Sequence, residues 1–338
     1  MADTMEAMCI PSFGGPEVFE RRRLPRPEPG PGEVVIRVAA SSVNMIDIKI
    51  RSGQVPALAP ELPAVLHGDV SGTVEAAGQG VDHLQPGDTV FACAGGVAGI
   101  PGALSPFMAA DADLVALAPQ TLSLEQAAAL PLVSLTAWEA LMDKARVQPG
   151  HRVLVHGGTG GVGHIGLQLA KEAGAEVHVT ASSREKLEQA LRLGADKGIN
   201  YRESSVEAYV RDMTGDAGYD AVFDTVGGDN IDRSLQAAGL NASVVSTVTR
   251  SSHDLSPMHS KALSLHAVFM LIPLLQGLGR KRHGEVLKGV AQLVDSGRLT
   301  PLIDKASFVF SRVGEAHAFV ASGRHEGKVV LVNDLPME

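Results

Sequence analysis

The rhythm of apolar and polar positions changes near residue 123. Before it, short stretches rich in β-branched residues are separated by turn residues. Positions 32–44, 70–78 and 88–95 read as strands, with QPGD at 85–88 as the turn between the last two. Positions 123–145 carry helical spacing, with Ser123 as N-cap and Pro131 as an interruption. After that, strands and helices alternate. Strands are predicted at 152–157, 175–182, 196–201, 219–227 and 242–248. Helices are predicted at 162–174, closed by Gly174, and at 183–195, 204–214 and 231–240. A further helix is expected at 282–299, and strands at 307–311 and 327–332. Alternation of this kind predicts an α/β chain whose second half is a doubly wound parallel sheet.

Composition narrows the class. The chain has 338 residues, enough for two domains, with 45% hydrophobic and 20% charged residues. Twenty-nine Lys and Arg against 38 Asp and Glu leave a formal charge of -9, which argues against general nucleic-acid binding. Cys9 and Cys93 are the only cysteines, too few for a disulfide framework or a four-cysteine zinc site. The N-terminus has no apolar core and the longest apolar run, near 267–279, is short and holds Pro273. The expectation is a cytoplasmic protein with no membrane partner.

The chemistry lies in Gly158-Thr-Gly160-Gly161-Val162-Gly163, a G-x-G-x-x-G between a predicted strand and a predicted helix. The first glycine permits the turn, the second lets a pyrophosphate approach the backbone, and the third lets helix and strand pack closely. The helix N-terminus offers free N–H groups to phosphate. An NAD site wants an acid at the tip of the second strand. Here that tip holds Ser182, Ser183, Arg184 and Lys186, and the nearest acid, Glu185, falls inside the next helix. Small hydroxyls and cations suit a 2′-phosphate, so the expected cofactor is NADPH/NADP+.

The chain resembles the medium-chain dehydrogenase/reductase superfamily, and within it the zinc-free quinone oxidoreductase branch that includes zeta-crystallin-like proteins. The segments that carry the resemblance are FGGPEVFE (13–20), SSVNMIDIKIRSG (41–53), HGDVSGTVEAAGQGV (67–81), LTAWEAL (135–141), VLVHGGTGGVG (153–163), GADKGINYRE (194–203) and GKVVLV (327–332), in family order. The resemblance implies a GroES-like, β-rich catalytic domain from 1–130 and 281–338, and a Rossmann domain from 131–280. Zinc members carry a cysteine near 44–47 and a G-H-E segment. This chain has no cysteine there, and His67-Gly68-Asp69 puts glycine in the ligand slot. The resemblance therefore implies no zinc.

It also implies residue roles. Asn44 lies beside the nicotinamide ribose or the substrate, and Thr136 lies close to the cofactor. Gly161, Val162 and Gly163 cradle the pyrophosphate. Ser182, Lys186 and Tyr201 contact the 2′-phosphate. Thr225, Val226 and Phe269 line the cofactor cleft, and Lys328 in GKVVLV joins the cofactor-binding set. Loops at 44–67, 94–107 and 262–280 shape the substrate pocket. Lys49 stands where relatives have tyrosine, Pro106-Phe107 where they have Glu-Tyr, and NAS (241–243) where they have Gly-Gly.

The expected activity is hydride transfer from NADPH to a quinone or an enone. Asn44 and Lys49 are the candidate donors to the developing oxyanion, with water or Lys49 as proton source. The alternatives are an NADP-dependent ketone or alcohol dehydrogenase, or an NADPH-binding protein without catalysis. A homodimer is expected, with 242–248 as an edge strand that pairs across a two-fold axis.

Overall fold

The structure is a computed structural model that describes residues 3–337, and it divides into two compact units. The first holds the chain up to Leu132 together with Leu271–Ser296 and the segment from Ile303 onward. The second holds Val133–Met270 and Gly297–Leu302. The sequence reading placed the crossings at 130/131 and 280/281. The segment after Met270 joins the first unit because Arg280 donates to Asp111 at 2.7 Å and to the carbonyls of Pro273 and Leu274.

The first unit opens with β1 (Thr4–Ile10) and β2 (Glu20–Pro25), followed by β3 (Glu33–Ser42) and the short helix α1 (Met45–Arg51). Then come β4 (Ala64–Val65), β5 (Asp69–Ala77), β6 (Thr89–Cys93), β7 (Phe107–Asp111), β8 (Val115–Leu117) and α2 (Leu124–Ala127). Ser123 caps α2 with a reciprocal bond to Gln126, as its side chain predicts. Strands β2, β1 and β4 form one small sheet. Long β3 organises the other, taking β5 on one side and β7 on the other, all antiparallel. Val34, Ile36, Val38 and Phe91 are buried against this sheet.

The second unit begins with α3 (Pro131–Trp138). Proline sits at its first turn, where no N–H is needed. A wide turn at Glu139–Lys144 extends it. Then β9 (Arg152–His156), α4 (Gly163–Glu172), β10 (Glu176–Ala181), α5 (Arg184–Arg192) and β11 (Lys197–Asn200) alternate. They are followed by α6 (Val206–Thr214), β12 (Tyr219–Asp224), α7 (Asn230–Ala237), β13 (Ala238–Ser246), α8 (Ser256–Lys261) and β14 (Ser264–Ala267). The sheet runs β11-β10-β9-β12-β13-β14, parallel throughout. Leu154, Tyr219, Val222, Ile231, Leu235 and Val244 are among its fully buried core.

Two expectations are corrected here. The segment 242–248 is not an edge strand: β14 lies outside β13, pairing Ser243–Ser246 with Ser264–Ala267. After residue 248 the chain returns through α8 and lays one more strand on the sheet. The helix expected at 231–240 stops at Ala237, because Ala238 already pairs with Tyr219 as sheet. Asn241 then takes φ +59°, a left-handed conformation that asparagine tolerates.

The chain returns to the first unit with α9 (Ile272–Gln276), α10 (Arg280–Asp295), β15 (Phe308–Val309), α11 (Val313–Ala321) and β16 (Val330–Val332). Strand β16 closes against β3 and β15. Among the described residues no helix is long and apolar enough to cross a membrane.

Candidate functional site

In the parallel sheet the strand order reverses between β9 and β12. The loops leaving these two strands run to opposite sides, and ligands of such sheets bind outside the strand ends at that point. The loop after β9 is the glycine cluster. A β-carbon on Gly158 would come within 2.7 Å of Val179, and one on Gly163 within 2.1 Å of the Gly157 carbonyl oxygen. The turn can thus fold back on β10 and start α4 directly above β9 only with glycine at both places. Val162 precedes α4 without a side-chain cap; the His164 and Gly166 N–H groups go to the Gly160 and Val162 carbonyls, which leaves the Gly163 and Ile165 N–H groups and the positive dipole end for a phosphate. Gly160, Gly161 and Val162 are half-buried at the rim. Thr225 and Val226 leave β12 beside this loop; Val226 is 55% exposed, and Thr225 donates its hydroxyl to the His156 carbonyl at 2.7 Å.

The tip of β10 has no carboxylate. Ser182 and Lys186 are half-buried there, and Ser183 caps α5 through the Lys186 N–H. Tyr201 is exposed, but its N–H reaches the Ala181 carbonyl at 3.3 Å, which brings it to the same tip. Arg184 points into solvent and pairs with Glu188, an ordinary surface pair along α5. Thr136 is buried inside α3, and Phe269 is 40% exposed. The structure thus gathers the glycine loop with Thr225 and Val226, and Ser182, Lys186 and Tyr201 with each other. It turns Arg184 aside.

In the β-rich unit, Asn44 stands between two buried charged groups. Its Nδ2 donates to Asp69 Oδ2 at 2.7 Å, and its Oδ1 accepts from Lys328 Nζ. Lys328 Nζ also reaches the Val43 carbonyl at 3.0 Å and Asp69 Oδ2 at 3.3 Å. Asp69 accepts the Ser42 hydroxyl and the Leu132 N–H as well. Asp47, at the start of α1, accepts the Asn44 N–H at 2.7 Å. Burial pushes its carboxyl up to about 7; Asp69 adds to this, and the Asn44 bond and Lys328 oppose it. Lys49 is half-buried and outside this network.

His67 is turned inward. Its Nδ1 lies 3.0 Å from Ser41 Oγ and its Nε2 2.8 Å from His317 Nε2. Burial holds His67 down at about 3 and His317 well below the usual imidazole range. Cys93 is buried beside Gly68, and burial raises its thiol far above the usual value. Metal-binding thiols must ionise. Among the described residues no group of three His, Cys, Asp or Glu could hold a metal ion, so these side chains do not fit a zinc site.

Residue typing alone missed Asp47, Asp69, His156 and Asp224. Asp224 closes the strand Tyr219–Asp224 behind the buried Ala221, Val222 and Phe223.

The chain thus combines a β-rich unit with a second unit that carries a glycine loop at the reversal of a parallel sheet. Residues 30–120 match the family described as alcohol dehydrogenase GroES-like domain, and residues 193–331 match that described as zinc-binding dehydrogenase. The chain is 33% identical over 326 residues to the quinone oxidoreductase of Salmonella typhimurium, covering 94% of this chain and 97% of that protein. It is 32% identical over 335 residues to an Arabidopsis thaliana protein named NADPH-dependent alkenal/one oxidoreductase, covering 97% of this chain and 79% of that one. A mycobacterial protein solved in complex with NADPH has a TM-score of 0.85 at 31% identity, covering 97% of this chain and 99% of that one. The chain also matches, at 36% identity over 308 residues, a pikromycin polyketide synthase component of Streptomyces venezuelae, of which it spans only 8%. The chain belongs to the medium-chain dehydrogenase/reductase superfamily, in its quinone oxidoreductase branch.

Proposed function

We propose that the chain is an NADPH-dependent reductase of quinones or conjugated enones that works without a metal. The observation that carries this reading is the tip of β10, where Ser182 and Lys186 replace the acid that would hold an NAD ribose. The names of the Salmonella and Arabidopsis relatives and the NADPH complex of the mycobacterial one support it.

The group supplied on cofactor binding is a hydride from C4 of the nicotinamide. Loop 157–163 and the start of α4 hold the pyrophosphate. Ser182, Lys186 and Tyr201 hold the 2′-phosphate. Lys49, which has no ion pair among the described residues, donates to the acceptor oxygen as negative charge develops there, and it or water supplies the proton. Asn44 has one amide hydrogen left after bonding Asp69 and adds it to the same oxygen. The substrate is a small hydrophobic carbonyl compound or quinone.

The test is NADPH and NADH oxidation at saturating concentrations of quinones, enones and simple ketones, with and without a strong chelator. Turnover of quinones or enones with NADPH, unchanged by chelator, supports the reading. Ketone turnover lost on chelation makes the chain a metal-dependent dehydrogenase. Tight NADPH binding without turnover makes it a binding protein.

A further inference from the structure

Two buried polar atoms on neighbouring strands make no hydrogen bond. They are His156 Nε2, on β9, and Asp224 Oδ2, on β12. The residues stand opposite each other in the parallel register and are 3% and 0% exposed. Buried polar atoms are rarely left this way, and each case asks for a reason.

The remaining atoms of both side chains are in use, and all of them act on the cofactor loops. Asp224 Oδ1 accepts the Val226 N–H at 2.9 Å, the Gly227 N–H at 3.0 Å and Asn230 Nδ2 at 3.0 Å. One oxygen therefore folds the chain that leaves β12 and starts α7. Thr225, inside that turn, is tied to the last carbonyl of β9. His156 Nδ1 lies 3.0 Å from Thr180 Oγ1, the same hydroxyl that receives the Gly157 N–H at 3.4 Å. The two residues thus join the ends of three adjacent strands just below the phosphate loop.

The chemistry of the two open atoms is complementary. A proton given by the Thr180 hydroxyl to Nδ1 leaves the imidazole's own proton on Nε2. Burial holds the imidazole neutral, down at about 4, against the pull of Asp224, and Arg233 adds to the effect. A neutral imidazole on the neighbouring strand leaves the oxygen that holds the loop to its own three donors.

We propose that Asp224 is a positioning residue for the dinucleotide, shaping residues 225–228 against loop 157–163, and that His156 orients its carboxylate. The proposal rests on the reading of this unit as NADPH-binding.

The test is fluorescence titration of the purified full chain with NADPH, followed by steady-state kinetics. Asp224→Ala should weaken NADPH binding about tenfold or more. It should raise KM for NADPH while leaving kcat at saturating NADPH within about threefold. Asp224→Asn keeps an oxygen for the two amides and should restore affinity. Tyr219→Phe removes a 2.9 Å bond to His178 at the opposite end of β12 and should lower Tm without changing NADPH affinity. Unchanged affinity in Asp224→Ala, or an equal loss in Tyr219→Phe, overturns the proposal. Hydrogen exchange of the unaltered protein decides the matter even if Asp224→Ala does not fold. NADPH should protect 157–163 and 225–230 together, and protection of 157–163 alone overturns the coupling. If the unaltered protein binds no NADPH at all, it is the proposed function that fails.

Discussion

Lys328 Nζ lies 3.3 Å from Asp69 Oδ2, and the two side chains are 3% and 0% exposed. Asn44 bridges them, accepting from the lysine and donating to the aspartate. A charge pair this deep survives because the ammonium's three protons and both carboxylate oxygens have partners.

Removing one member should therefore be costly. Lys328→Met leaves the Asp69 carboxylate buried without its cation and should destabilise the β-rich unit by about 3–5 kcal/mol. Denaturant unfolding followed by a probe in that unit checks this. Unchanged stability with lost NADPH affinity would place the ammonium on the cofactor instead.

Asp47 sets a pH slope. Its folded pKa is raised to about 7, so the folded state holds a proton that the unfolded chain releases near pH 4. This contribution is fully present below about pH 4 and is lost as pH rises toward 7. Asp47→Asn keeps an acceptor for the Asn44 N–H and should flatten that slope, raising Tm at pH 8 by a few degrees and hardly at all at pH 4. Parallel thermal melts across that range would show no difference between the two proteins if the carboxyl titrates normally.

His283 on α10 works in the opposite direction. It is buried with Nδ1 unpartnered, and burial lowers its pKa to about 4. The unfolded chain takes up a proton near pH 6.5 that the folded state refuses, so stability falls as pH drops from 6.5 toward 4. His283→Leu should gain about 1–2 kcal/mol at pH 5 and much less at pH 8. Urea midpoints at both pH values measure the difference, and an equal gain at both would assign it to packing alone.

Gly163→Ala tests the phosphate loop. The added carbon would lie 2.1 Å from the Gly157 carbonyl, which is backbone and cannot swing away. NADPH affinity should fall more than about tenfold, the equivalent of about 1.4 kcal/mol. A variant that binds NADPH like the parent would mean that the loop can open without loss.

The parallel sheet has edge strands β11 and β14, and β14, four residues long, is the one that follows the expected pairing segment. An unpaired edge is readily covered by a second copy of the chain. Light scattering should give twice the 35.2 kDa chain mass, and a monomer at micromolar concentration would rule out the dimer.

The sequence by itself determined the α/β alternation, the phosphate loop and the family. Those signals are local: strand and helix periods in 152–224, Ser123 as a cap, Pro131 as a break in the helical stretch, and glycines whose spacing encodes one turn. Tertiary structure decided what distant segments do to each other. It set β12 beside β9, so that Asp224 meets His156 across 68 positions of chain. It placed β14 outside β13 and removed the expected edge. It also buried Lys328 against Asp69, 259 residues away, and raised the carboxyl of Asp47. A side chain's burial and partners depend on which chain-distant groups displace water around it, and no local pattern carries that information.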